Sequence, residues 1–168
     1  MEVLTIIALI IGPIAAVQVQ KYLERLREKK NTELNIFRTL MATRGSRLSH
    51  QHVEALNLID LVFRNKKQRA IIEAWKIYLD HLENYPDEES SEDQRATGNG
   101  HSIDLLVDLI YEISKYLKYS FDKVQLKRGI YVPKGHTDLE IDQLLLRKGL
   151  VDVFVEKKPL RIKIENEQ

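Results

Sequence analysis

The residues best suited to chemistry lie in the segment Arg47-Leu-Ser-His-Gln-His52, where four residues separate an arginine from a histidine. A second pair, Arg44 and His50, is separated by five residues. Cleavage of RNA without a metal ion needs a histidine to move the proton of the 2′-hydroxyl and an arginine to hold the phosphate. Arg47 and His52 are therefore the candidate catalytic residues.

The same pair also has structural interpretations. Eleven arginines and five histidines produce roughly one such spacing by chance. The spacing also spans a turn at Arg44-Gly45-Ser46 and the start of a predicted helix, for which Ser49 is a plausible N-cap. A basic patch or a capping role stays open beside catalysis.

No other segment carries a catalytic or metal-binding signature. Two positions apart on a helix, His50 and His52 point away from each other and do not suit one zinc ion. The chain has no cysteine, which excludes disulfides, thiol nucleophiles and thiolate zinc sites. The sequence predicts no metal and no cofactor, and it places most acidic residues on exposed helix faces. The five histidines are His50, His52, His81, His101 and His136.

An apolar segment at the N-terminus precedes these residues. Residues 3–17 carry no charge, and a basic collar follows from Lys21 to Lys30. Seventeen to nineteen helical residues span roughly 25 to 28 Å, the lower edge of what crosses a bilayer. Glu2 stands where a signal peptide would carry basic residues, so cleavage is not expected. The collar favours a single-pass topology with the N-terminus outside and the bulk in the cytoplasm. A buried core helix is the alternative.

Small residues recur along this segment. Ala8, Gly12 and Ala16 form a small-xxx-small series with Thr5 near the same face, which allows helices to pack side by side. The same face could instead line the lumen of a pore formed by several copies. Gln18, Gln20 and Lys21 would then lie near the cytoplasmic end of that pore. The predicted pore or helix-packing residues are thus Thr5, Ala8, Gly12, Ala16, Gln18, Gln20 and Lys21.

The remaining sequence predicts an all-α domain. Apolar residues at steps of three and four predict a first helix of up to forty residues and helices near 49–63 and 70–85. Residues 86–101 lack apolar side chains and predict a mobile acidic loop. The sequence next predicts a long helix that is capped by Ser102 and ends at Gly129. A short helix that starts at a capping box at Thr137 follows it. A minor hairpin pairs 160–164 with 130–132. The predicted domains are 1–30, the anchor and collar, and 31–168, a cytoplasmic helical domain.

Charge is nearly balanced, with a formal net value of +1. It is basic at the collar and acidic in the predicted loop. A dedicated nucleic-acid coat protein would carry a strong basic excess. Direct nucleic-acid binding is therefore not expected.

The layout resembles a known group. An uncharged N-terminal anchor, a basic collar and a helical domain with Arg-x4-His are similar to the small membrane accessory proteins encoded beside the RNA-targeting nuclease of type VI-B CRISPR systems. The stretches TIIALIIGPIAAVQVQ, LMATRGSRLS and HVEALNLIDLVF also resemble an uncharacterised family of membrane-anchored bacterial proteins. The likeness is best over the first 85 residues.

This resemblance implies a HEPN-like helical fold and a homo-oligomeric ring, with eight subunits as one option, in the bacterial inner membrane. It implies a pore that strengthens antiviral defence, functionally linked to an RNA-guided CRISPR nuclease. Carried onto this chain, the pore wall is residues 3–20 and the HEPN-like pair is Arg47 and His52. Leu48 stands where an active HEPN site has a polar residue, which puts ribonuclease activity in doubt.

Three hypotheses follow. The leading one is a membrane pore-forming protein that does no covalent chemistry, enhancing antiviral defence by permeabilising the inner membrane. The second is a membrane-tethered, metal-independent HEPN-type ribonuclease using Arg47 and His52. The third is a non-conducting membrane scaffold that recruits a partner protein.

Overall fold

The computed structural model describes residues 2–87, 89–131, 133–155, 157 and 159, without the side chains of 2–11, 13, 134–138 and 140. These residues contain helices and no strand, so the predicted all-α class is confirmed. The chain divides into two compact units, 1–130 and 131–168, and the predicted domain 31–168 spans both. The helices are α1 Glu2–Thr43, α2 His50–Asn57, α3 Ile59–Val62, α4 Arg69–Glu83, α5 Glu92–Tyr116, α6 Lys123–Arg128 and α7 Lys134–Phe154.

Helix α1 is continuous over 42 residues, as the sequence predicted. Its C-terminal part packs into the core through Ile36, Phe37 and Leu40, whereas every described side chain from Gly12 to Thr32 is exposed. In the part of the chain that the structure describes, none of the helices combines the length and apolar character needed to cross a bilayer. Among its described side chains, α1 is buried only toward its C-terminal end.

The core of the first unit lies between α1, α4 and α5. Helices α4 and α5 run antiparallel, so that Tyr78 lies beside Ser102 and His81 beside Gly98. Aromatic side chains close the core at both ends, with Phe63 edge-on to Tyr116 and Trp75 edge-on to Tyr78. The fully buried large apolar side chains are Leu40, Ile59, Phe63, Ile71, Tyr78, Leu109, Ile110, Ile113 and Leu126.

A polar contact joins three elements inside this core. Glu33 of α1 is buried, and its carboxylate accepts hydrogen bonds from Gln68 Nε2 at 2.6 Å and from the Tyr116 hydroxyl at 3.4 Å. Gln68 belongs to a 3-10 turn at Lys66–Gln68 before α4. Burying a carboxylate requires such donors, and they fix the register of α1 against α4 and α5.

The predicted mobile loop 86–101 is wrong from Glu92 onward, and its cap at Ser102 is wrong, because α5 begins at Glu92. Ser91 accepts from the backbone N–H of Gln94, whose side chain accepts in return from the Ser91 N–H, so a capping box starts the helix. Glu92 and Asp93 also suit the positive end of the helix dipole. A Cβ on Gly98 would lie 2.9 Å from Pro86, so glycine lets the 84–87 segment pack against α5.

The long predicted helix that continues to Gly129 is interrupted. Helix α5 ends at Tyr116, and Lys118 adopts a φ of 65° that turns the chain back. Helix α6 then lies along α5, where Lys123 pairs with Asp108 at 2.7 Å and Lys127 with Asp104. These pairs are exposed and contribute little stability, so the buried Leu126 is the main apolar contact of α6.

Arg44 ties the end of α6 to the end of α1. Its guanidinium donates to the backbone carbonyls of Met41, Leu126 and Gly129. These carbonyls lie at helix C-termini, where orphan acceptors and the helix dipole favour a cation. Arg44, from the second arginine–histidine pair, therefore has a structural role, because it links the C-terminal ends of α1 and α6.

The second unit contains α7. This helix begins at Lys134, directly after Pro133, and continues past Gly149 to Phe154, so the predicted start at Thr137 and end at Gly149 are wrong. Pro133 is the N-cap residue, with φ −58° and a non-helical ψ of 135°. The predicted hairpin involves residues 132 and 160–164, which lie outside the described residues. None of the described side chains of this unit is buried.

Candidate functional site

The turn between α1 and α2 positions Arg47 and His52. A backbone hydrogen bond from Ser46 to Thr43 closes the turn at 2.8 Å. Ser49 then caps α2 by accepting from the His52 backbone N–H, which confirms the predicted cap. The cap sets His52 on the inner face of α2, toward α1.

His52 is fully buried and hydrogen-bonded through one ring nitrogen. Its Nδ1 lies 2.8 Å from the Thr43 hydroxyl, and that hydroxyl donates its proton to the Thr39 carbonyl at 2.7 Å. Nδ1 therefore carries a proton and donates to Thr43. The other nitrogen, Nε2, is buried with no hydrogen-bond partner among the described residues.

Arg47 is half-buried and reaches α5. Its guanidinium donates to the Ser102 hydroxyl at 2.8 Å and to the Asn99 side-chain oxygen. Asn99 and Ser102 are three apart and face the same way on a helix. Tyr78 of α4 also hydrogen-bonds to Ser102 and Arg47. These partners are neutral, so the charge of Arg47 is solvated by dipoles.

Three of these residues were missed in the sequence. Asn99 and Ser102 fell in or beside the predicted loop, and Tyr78 was assigned only to an apolar stripe. The signal that could have found Asn99 and Ser102 is the Ser91–Gln94 capping box, which extends α5 far enough to bring both against Arg47.

Among Arg47, His52 and Tyr78, only Arg47 is charged at neutral pH. Burial, with a smaller contribution from the Arg47 charge, lowers the pKa of His52 to about 4. Burial raises the pKa of the Tyr78 hydroxyl. His52 is thus an uncharged base at neutral pH.

Such a base could in principle accept the 2′-hydroxyl proton of RNA, but the proton must lie within hydrogen-bond reach of it. His52 is fully buried, so in the single chain its unpaired Nε2 cannot contact a substrate. The arrangement seen is a structural polar cluster in which His52 ties α2 to α1 through Thr43, and Arg47 ties the turn between α1 and α2 to α5.

The residues of the predicted pore face lie apart from this cluster. Gly12, Ala16, Gln18, Gln20 and Lys21 are exposed along α1. A Cβ built on Gly12 would meet nothing within 4 Å. The predicted residues Thr5 and Ala8 have side chains outside the described part of the structure.

A groove of about 540 Å³ lies between the end of α4 and the start of α5. His81 and His101 line it with ring centroids 4.8 Å apart, and His81 Nε2 lies 3.1 Å from the Gly98 carbonyl. Among the described residues there is no group of three or more histidines or carboxylates that could hold a metal. The groove therefore does not provide a metal centre within this part of the chain.

Fold and site define a class, an all-helical protein with a buried histidine, a half-buried arginine near it and a long N-terminal helix that is exposed from Gly12 to Thr32 where its side chains are described. The chain belongs to DUF6680, described as a family of unknown function, whose model matches residues 1–168. Comparison with curated proteins and with solved structures found no match.

Proposed function

We propose that this protein is a single-pass inner-membrane protein whose copies assemble into a homo-oligomeric pore. In this proposal α1 enters the bilayer from the cytoplasmic side with its N-terminus outside, and the helical domain stays in the cytoplasm. The pore permeabilises the membrane. Its role in antiviral defence, beside an RNA-guided nuclease, is what the resemblance to the type VI-B accessory proteins implies.

The observation that carries the proposal is the continuity of α1 beyond the core. The helix extends from Glu33 back to Glu2, and residues 3–17 are without charge. The described side chains of this segment, those of Gly12 and of residues 14–17, are exposed, and an exposed apolar stretch of this kind marks a surface for lipid or for a partner. A span of roughly 25 to 28 Å is short for a bilayer, and long basic side chains at its end can reach the headgroups.

The basic collar supports the orientation. Lys21, Arg25, Arg27, Lys29 and Lys30 are all exposed on α1 between the apolar segment and the core. Lys and Arg next to a span favour the cytoplasmic side. The folded unit that follows the collar then lies in the cytoplasm.

One helix per chain cannot enclose a channel, so conduction requires several copies. Ala8, Gly12 and Ala16 provide a face on which helices approach closely. A Cβ built on Gly12 meets nothing within 4 Å, so its own chain leaves space at this position. A defect in the Gly12→Leu variant therefore reports on contact between copies.

Gly100→Leu is the matched control, because Gly100 is also helical and also has nothing within 4 Å of a built Cβ. We expect Gly12→Leu to reduce dye leakage from expressing cells at least tenfold and to lower the particle mass in detergent. Gly100→Leu should match the wild type in both. Intact leakage and mass in Gly12→Leu would reject this packing face, and a wild-type monomer or a cytosolic wild type would reject the proposal itself.

A second candidate is the ribonuclease, favoured by the electrostatic effect of Arg47 on His52, whose pKa is lowered mainly by burial and to a smaller extent by the Arg47 charge. The full burial of His52 counts against it. Under the pore proposal, purified wild type, Arg47→Ala and His52→Ala leave RNA equally intact. Degradation by the wild type that both variants lose would establish the ribonuclease instead.

A further inference from the structure

Basic side chains gather at one end of the first unit, the end from which the exposed part of α1 emerges. The hydrogen bonds from Gln68 and Tyr116 to Glu33 bring three segments together there. These segments are the collar of α1, the turn before α4 and the C-terminal end of α5. Their exposed cations form a surface that we name the basic face, which comprises the five collar cations together with Arg64, Lys66, Lys67, Arg69, Lys115 and Lys118.

Neighbouring acidic residues neutralise few of these cations. Arg69 pairs with Glu73 and Lys115 pairs with Glu112, whereas the other nine form no ion pair within the described part of the chain. Residues 21–33, 60–73 and 112–118 together contain eleven basic and six acidic residues, and one of the six is the buried Glu33. The basic face is therefore strongly positive although the net charge of the chain is only +1.

The opposite end of the unit carries the opposite charge. Residues 80–95, which end α4 and begin α5, contain seven acidic residues and one basic residue. Because α4 and α5 are antiparallel, this acidic end lies about 20 Å from the basic face, close to the length of the 15 residues of α4. Such a charge separation favours one orientation of the unit beside a charged surface.

A bilayer with anionic lipids is the surface that this arrangement fits. If α1 enters the bilayer through the collar, the basic face is turned toward the cytoplasmic leaflet and the acidic end away from it. Clusters of Lys and Arg beside a membrane span are typical of segments that bind anionic headgroups. A nucleic acid would also attract these cations, but it gives no reason for their position at the end that α1 joins to the membrane.

We propose that the basic face docks the first unit on anionic lipid headgroups of the cytoplasmic leaflet. This inference rests on the membrane insertion of α1 in the proposed function. It adds a class of lipid and a contact made by the folded unit as well as by the anchor.

The length of α1 permits this contact. Glu33 lies thirteen residues beyond Gln20, about 20 Å along the helix. At the average tilt of spanning helices, about 20°, a turn roughly 10 Å to one side of the axis lies about 15 Å from the apolar boundary. The headgroup layer fills about 6 Å of that distance and an extended lysine side chain about another 6 Å. The remaining gap is shorter than the Debye length of about 8 Å, so the attraction is not screened out.

The test measures how close each end of the unit lies to the headgroups. The chain has no cysteine, so one introduced cysteine takes a single fluorophore. Ala70→Cys places it beside the basic turn and Ala96→Cys at the acidic end, and both alanines are exposed. The full chain is reconstituted into nanodiscs of phosphatidylcholine, with or without phosphatidylglycerol, that contain a lipid spin-labelled at its headgroup. We expect phosphatidylglycerol to increase quenching of the probe at residue 70 at least twofold and to leave the probe at residue 96 unchanged.

Charge variants in the Ala70→Cys chain identify the lysines that make the contact. Lys66→Gln with Lys67→Gln should lose at least half of the increase, because two unpaired charges leave the face. Lys76→Gln with Arg95→Gln is the matched control, since it removes the same charge from exposed positions outside the basic face and should keep the increase. Circular dichroism equal to that of the wild type checks that each variant is folded.

The outcomes separate this inference from the pore. Equal quenching of the probe at residue 70 in both lipids, or stronger quenching at residue 96 than at residue 70, overturns the docking while the insertion stands. If the two lysine substitutions leave the lipid effect unchanged but abolish RNA binding by the protein in detergent, the face belongs to a nucleic acid and the inference is overturned. A monomer with the expected quenching rejects the pore and keeps the docking, whereas a chain that does not enter nanodiscs rejects both.

Discussion

The two parts of α1 share one helix and have opposite surroundings. From Glu33 to Leu40 apolar side chains enter a dense core, with Leu40 at 0% exposure. From Gly12 to Thr32 apolar side chains of the same kinds are in the open, with Leu23 at 46%. The comparison shows that apolar periodicity indicates a helix face that needs a partner surface. Whether the same chain provides that surface depends on its tertiary fold.

The largest expected effect contrasts Leu40→Ala with Leu23→Ala, the same substitution at two places in one helix. We expect Leu40→Ala to lower the free energy of unfolding by about 2–5 kcal/mol, because it leaves a cavity in the core. Leu23→Ala should change it by less than about 0.5 kcal/mol in the monomeric state. The measurement is urea unfolding in detergent followed by the fluorescence of Trp75, the only tryptophan. Equal losses at the two positions would show that residue 23 is buried in an assembly, and the contrast within α1 would no longer hold.

The next prediction concerns the pH dependence of the free energy of unfolding, which we attribute to His52, a buried residue packed against the C-terminal part of α1. The unfolded His52 takes up a proton near pH 6.5, whereas the folded one does so at about 4. Above pH 6.5 it is neutral in both states and adds no pH dependence. As the pH falls from 6.5 toward 4, only the unfolded state binds the proton, so the free energy of unfolding decreases by on the order of 2–3 kcal/mol.

Unfolding curves at pH 7 and pH 4.5 measure this loss. In His52→Leu the part due to this residue should vanish, whereas His50→Leu, at an exposed position, should keep the wild-type pH slope. Wild type and His52→Leu with identical slopes would mean that His52 is solvated and not enclosed by α1 and α2.

A smaller effect compares a buried polar contact with an exposed one. Gln68→Ala removes the donor 2.6 Å from the buried Glu33 carboxylate, and we expect a loss of about 1–3 kcal/mol. Glu73→Ala breaks the exposed pair with Arg69, which has an Nε–Oε1 distance of 2.7 Å, and should cost less than about 1 kcal/mol. The same urea titrations check both variants, and a larger loss in Glu73→Ala than in Gln68→Ala would contradict the burial of Glu33.

The sequence predicted the helices whose apolar residues recur every three or four positions. The continuity of α1, the cap at Ser49 and the position of α4 all follow from local patterns. The start of α5 does not, because residues 92–101 carry few apolar side chains and the helix there depends on a capping box and on packing against Pro86. Composition alone favoured a loop and missed this.

The candidate site was predicted only in part. Arg47 and His52 were named from their spacing, but the partners of Arg47 come from residues 78, 99 and 102, which only the tertiary fold brings near. The burial of His52 was likewise invisible, since a histidine in the first turn of a helix faces in or out depending on the helix it packs against. Glu33 shows the same limit, because its donors lie 35 and 83 residues away.

From residue 14 to residue 43, α1 contains neither glycine nor proline. The helix is therefore stiff over these residues, and its C-terminal end is fixed by packing in the core. A change of about 10° in its inclination at Pro13 displaces the Thr43 end by about 8 Å over a length of roughly 45 Å. A change in the inclination of residues 14–32 therefore also displaces the core that packs on Ile36, Phe37 and Leu40, and a force applied to that core tilts this part of the helix in turn.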